Sequence, residues 1–72
     1  MASIGERAAK AIRDRVAQNN TFLKDELRKI DASRRALLSW ELKGMNPSAY
    51  FLQQMVLQGY DVIWILIGGD EE

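Results

Sequence analysis

The residues best equipped for chemistry lie in one stretch, "ASRRALLSWELKGMNPS", residues 32 to 48. Read as a helix, it places Arg34 and Arg35 on the same side as Leu38 and Leu42. Arginines interleaved with leucines do not make an ordinary solvated face, so this one is a candidate for recognition. Catalysis finds little support. The chain has no histidine and no cysteine. That removes the commonest general base, the commonest metal ligand and any thiolate site. Ser33, Ser39 and Ser48 therefore have no histidine base to activate them. Gly68-Gly69 and the isolated glycines do not match a phosphate loop. Asp25, Glu26 and Asp31 are spread among bases and read as surface. The expectation is a binding protein and not an enzyme, with no metal, no cofactor and no small-molecule substrate.

Those residues must be positioned by a small scaffold. Seventy-two residues allow one domain, and a chain of this size buries only ~60% of its unfolded surface. Hydrophobic residues at 47% and charged residues at 28% describe a globule. The N-terminus, "MASIGERAAK", lacks the apolar core of a secretory signal. The longest apolar run, 62–67, falls far short of the ~20 residues that span a bilayer. A cytoplasmic protein without a membrane contact is expected. Net charge is zero, yet all ten Lys and Arg lie within residues 1–43, against six acids there. Residues 44–72 hold four acids and no base. A chain split in this way can present a positive face at zero net charge.

The punctuation predicts five short helices. Ser3 and Glu6 form a capping box, followed by an apolar stripe of Ile4, Ala8, Ile12 and Val16 and a turn at Asn19-Asn20. A second helix covers about 22–30, with Phe22, Leu23, Leu27 and Ile30 as its apolar set. Ser33 caps a third, about 34–43, which Gly44 ends. Asn46 is read as the cap of a fourth helix with Pro47 in its first turn. It runs to about 58, with Ala49, Leu52, Met55 and Val56 on one arc. Gly59 stops it. Asp61 caps a fifth, 62–67, closed by Gly68-Gly69. With no strand alternation and no repeat, the fold class is all-α: a compact bundle of five helices occupying residues 1–69. Asp70, Glu71 and Glu72 read as an acidic, solvated tail or the start of a linker. Trp40, Met45 and Met55 read as packing.

Helices two and three are separated by about three residues around Asp31-Ala32-Ser33, the spacing of a helix-turn-helix. A helix fits the major groove of DNA, and a preceding helix braced across it fixes its angle. On a helical wheel Ala36, Leu37 and Trp40 face the core, while Arg34, Arg35, Leu38, Ser39 and Leu42 face away. The stretch also resembles the lambda-repressor-like helix-turn-helix family, with its "vSrstiSrWEnGkrnPs" pattern. The match runs ungapped through Ser33, Arg34, Leu37, Trp40, Glu41, Asn46, Pro47 and Ser48. "SIGERAAKAIRDR" is similar to the family's first helix, and "GYDVIWILIGG" to the ending of its phage-repressor-type members.

The resemblance implies a sequence-specific DNA-binding regulator. Arg34, Arg35 and Ser39 would read bases, the arginine fork matching O6 and N7 of guanine. Leu38 would touch a thymine methyl. Lys24, Ser33 and Lys43 would contact phosphates, though each of the charged residues also reads as a plain solvated charge and Ser33 as a helix cap alone. Departures from the pattern are present. Glu26-Leu27 stand where the family has Leu-Ala at the helix crossing. The apolar pair Phe22-Leu23 replaces a polar start of helix two. Leu42-Lys43 replace the usual Asn-Gly, with glycine displaced to 44. These changes, with Leu38 on the outer face, leave a second reading open: a protein-interaction module on the same scaffold, antitoxin-like or regulator-binding.

The last helix is a second candidate surface. Six consecutive apolar residues exceed what one face of a short helix buries. Ile63 and Ile67 lie side by side, and with Tyr60 or Trp64 they would form an apolar patch for a homodimer. The alternative is that this helix is wedged into the monomer's own core.

Overall fold

The computed structural model describes residues 2–68, all of them helix, turn or loop. Gly69 and the acidic residues 70–72, read above as a helix stop and a solvated tail, lie outside the described residues. Helix α1 spans Ile4–Asn19. The Ser3 hydroxyl accepts the Glu6 amide at 3.0 Å, and the Glu6 carboxylate accepts the Ser3 amide at 2.7 Å, so the capping box is made in both directions. These contacts hold the Glu6 carboxyl below its usual pKa, the Ser3 backbone amide foremost. Ala8, Ala9 and Ile12 are buried. Three other helices pack on α1: α2 (Leu23–Lys29), α3 (Arg34–Leu42) and α5 (Val62–Ile67).

The first turn of α1 carries Gly5, whose lack of a side chain sets the packing. A Cβ there would fall on the carbonyl oxygen of Met45 and lie 3.0 Å from that of Trp40. The chain leaving α3 therefore lies directly on α1. Gly44 makes that exit with a positive φ of 67°, a region open to glycine at little cost. Met45 is drawn along the surface with 57% exposure, not packed inside as expected.

Helix α4 (Ala49–Leu57) begins later than the proline signal suggests. Its first intrahelical acceptor is the Ser48 carbonyl, bonded by the Leu52 amide at 3.2 Å. Ser48 is thus the cap, in place of Asn46, and the buried Pro47 belongs to the packed loop before it. The later start changes the buried arc. Ala49 and Val56 are exposed, while Phe51 and Leu52 are half-buried and Met55 is fully buried. Phe51 is drawn inward by Trp40, whose ring meets it edge-on at 5.4 Å, a favoured aromatic geometry. Trp40 itself is core.

Phe22 also departs from its expected place. It precedes α2 in extended conformation and is 71% exposed, so it lies outside the helical stripe that buries Leu27 and Ile30. The displaced burial in α2 falls on Glu26, 1% exposed. Its Oε1 accepts the Tyr60 hydroxyl at 3.0 Å, and Lys29 Nζ lies 3.5 Å from Oε2. α5 is capped as expected, the Asp61 carboxylate accepting the Trp64 amide at 3.0 Å and Gly68 closing it at a φ of 81°. No helix among the described residues is long and apolar enough to cross a membrane.

Candidate nucleic-acid interface

The segment joining α2 to α3 is short and fixed. Leu27 is buried at its inner end, and its carbonyl accepts the Ile30 and Ala32 amides at 3.2 and 3.0 Å. Asp31 takes a φ of 60°, which aspartate tolerates better than most side chains. Its carboxylate accepts the Tyr50 hydroxyl of α4 at 2.8 Å. This bond, first among its causes, raises the Tyr50 pKa above the ordinary phenol value. Then Ser33 starts α3, its hydroxyl accepting the Ala36 amide at 3.0 Å. The Ser33 oxygen is engaged as a cap, while its hydrogen remains free to donate.

α3 turns Leu37 and Trp40 inward. Arg34, Arg35 and Leu42 are exposed, and Leu38 and Ser39 are half-buried. The face expected from the wheel is present, and Leu42 on it is 75% exposed. Lys24 on α2 and Lys43 at the end of α3 are exposed as well.

Position alone does not separate these cations from the others, but their partners do. All four basic residues of α1 are engaged within the fold. Arg7 is 8% exposed and donates to the carbonyls of Ile65 at 2.8 Å, Leu66 at 3.2 Å and Ala2 at 2.5 Å. Lys10 pairs with Asp14. Arg13 grips both oxygens of Glu41 on α3, at 2.5 and 2.9 Å. That fork, by its hydrogen bonds first, holds the Glu41 carboxyl below its usual pKa. Arg15 lies 3.6 Å over the Tyr60 ring and donates to the Gln58 carbonyl. Lys29 pairs with Glu26. The other five, Lys24, Arg28, Arg34, Arg35 and Lys43, have no side-chain hydrogen bond or ion pair among the described residues. All five belong to α2 and α3 or the cap of α3.

Sequence reasoning missed two parts of this arrangement. The long-range engagement of α1's arginines depends on partners 28 to 59 residues away, and no local pattern announces such contacts. Arg28 was legible, since it follows Lys24 by four residues and so shares its helical face.

The second candidate surface needs one correction. Tyr60 is buried at 8% exposure and belongs to the core beside Glu26 and Arg15, not to a patch on α5. Burial, then the Glu26 charge, pushes its phenol far above the ordinary value. Trp64 is half-buried. Ile63 and Ile67 are 71% and 70% exposed, and Leu66 adds 43%. Ile65 alone of the helix is fully buried, so α5 is both wedged into the core and open on its outer side.

Comparison of the chain with protein-family models, with curated proteins and with solved structures found no match.

Proposed function

We propose that the protein is a sequence-specific regulator that binds double-stranded DNA, with α2 and α3 as a helix-turn-helix and α3 in the major groove. The observation that carries this reading is the sorting of the cations: those of α1 are spent on the fold, and those of α2, α3 and the α3 cap, Lys29 apart, have no ion pair among the described residues. Unpaired arginines on an exposed helix are what base edges and phosphates require. Arg34 and Arg35 read guanines at the start of α3, Ser39 and Leu38 reach a neighbouring pair, and Lys24, Ser33 and Lys43 bind phosphates. The resemblance to lambda-repressor-like proteins of phages and bacteria supports the same assignment. The protein acts by occupying an operator, with no chemical step, and a second copy docks through Ile63, Trp64 and Ile67. Two-fold symmetry then sets the recognition helices one DNA turn apart, roughly 34 Å.

Selection of bound duplexes from a random pool, at low and physiological salt, tests this directly. An enriched site that the Arg34→Ala/Arg35→Ala double variant fails to enrich is the expected result. Background binding shared by the variant refutes it. Sedimentation equilibrium tests the pairing: a strict monomer at high micromolar concentration removes the dimer.

One observation favours a protein-interaction module instead. Leu42 and Phe22, 75% and 71% exposed, lie at the end of α3 and the start of α2, where they cost solvation unless covered. Salt separates the two readings, because phosphate contacts give affinity a steep salt slope and an apolar interface does not.

A further inference from the structure

Lys24 and Arg28 line an open notch of about 350 Å³ together with Asp31, Ala32 and Ser33. Both cations lack an intramolecular partner among the described residues, and their four-residue spacing sets them side by side on α2. The one acid in the notch, Asp31, is already hydrogen-bonded to the Tyr50 hydroxyl of α4. The local balance is two positive charges against one tethered negative charge. Lys24 also lines a smaller hollow of about 150 Å³, together with Leu23, Leu27, Ala32 and Arg34. The two hollows share Lys24 and Ala32, and Arg34, the first base-reading residue proposed for α3, lines the second.

We infer that this notch is a seat for one phosphate group, held jointly by Lys24 and Arg28. Its occupant is a backbone phosphate of the bound duplex, an inference that rests on the DNA-binding reading. Arg28 supplies a planar fork and Lys24 a point charge, and such pairs hold tetrahedral oxyanions well. Ser33 lines the same notch, and its hydroxyl keeps a hydrogen to donate. A phosphate fixed here carries no sequence information, but it fixes the distance from the backbone to Arg34 and so the register in which α3 is read.

The test compares salt dependence of duplex binding in the wild type, Arg28→Ala, Lys24→Ala and the double variant. It also follows the Arg28 side-chain Nε–Hε resonance as inorganic phosphate or duplex is added. Each neutralised phosphate makes affinity vary as salt to about the −0.9 power, so losing one flattens the slope by about 0.9 and weakens binding about eightfold at 0.1 M salt. The expected result is that either single variant gives this loss on every sequence, and the double variant little more. A double variant that loses twice as much has two independent contacts and overturns the shared seat. Duplex binding with wild-type slope in all variants overturns the seat and leaves the regulator reading intact. Absence of duplex binding, with the Arg28 resonance still shifted by inorganic phosphate unless Lys24 is replaced, keeps the seat and overturns its DNA occupant. No shift with either probe overturns both.

Discussion

Replacing Arg7 tests how the scaffold is closed. α5 has six residues, too few to persist alone, since nucleation is unfavourable and few bonds follow it. The last carbonyls of any helix lack intrahelical partners. Here the Arg7 guanidinium meets those of Ile65 and Leu66 at 2.8 and 3.2 Å, from a nearly buried position on α1. Hydrogen bonds to a charged group contribute ~1.5–3 kcal/mol each. Water can reach the freed carbonyls in part, so the low end applies, and Arg7→Met should lose ~3 kcal/mol. For a domain of this size that lowers Tm by ~12–24 °C. Methionine keeps most of the side chain's bulk, so the loss reports the bonds and not a void. Arg7→Lys retains the charge without the fork and should recover about half. Urea unfolding followed by circular dichroism at low temperature gives the free energy, and hydrogen exchange should show α5 opening first. If Arg7→Met stays within ~1 kcal/mol of wild type at an unchanged m value, α5 is held by its apolar face alone and the clasp is incidental.

Other expectations follow from the same contacts. Arg34→Ala and Arg35→Ala should each cost ~1–3 kcal/mol in duplex affinity and relax specificity at one base pair, with Tm unchanged because neither side chain has a partner among the described residues; a binding isotherm and a melting curve decide it. Gly5→Ala should destabilise by ~1–3 kcal/mol through overpacking, since the new methyl meets the backbone carbonyls of Met45 and Trp40; a Tm at or above wild type would mean the loop yields freely. The Arg13–Glu41 pair is partly exposed, so a double-mutant cycle should give only ~0.2–1 kcal/mol. Glu41 titrates below its unfolded value, so this coupling is present above the unfolded pKa, ~4.3, and should vanish as pH falls through the lower folded one. Tyr60 has the opposite sign: its folded pKa is raised, so its contribution is complete below the unfolded value of ~10 and is lost as pH rises beyond it. Ultraviolet titration of the phenolates should show Tyr60 ionising only with unfolding, and Tyr60→Phe should abolish that step.

The sequence carried the fold as far as local chemistry reaches. Ser3 with Glu6, Ser33, Asp61 and Gly44 each act within a few residues, so their spacing alone placed four helix ends. Pro47 misled because its ring is compatible with both a first helical turn and a packed loop, and only the loop's burial against the core distinguishes them. The outer face of α3 was legible for the same local reason, as an alternation along one helix. What could not be read was which cations remain free. That depends on Arg13 meeting Glu41, and Arg15 meeting Tyr60, across the packed bundle. Tyr60 was misassigned for the related reason that a tyrosine beside an apolar helix suits a surface patch, until a buried acceptor such as Glu26 is known to await its hydroxyl.

The packing of α1 against α5 also ties completion of the fold to the end of its synthesis. α1 is made before each of the helices that cover it, and α5 is the last of these to follow. Ala8, Ala9 and Ile12 emerge from the ribosome as an open apolar face, and at ~5–20 residues per second they wait seconds for α5 to arrive. During that interval α2 and α3 can already cover part of α1, and loss of α5 would leave the remaining part open to solvent.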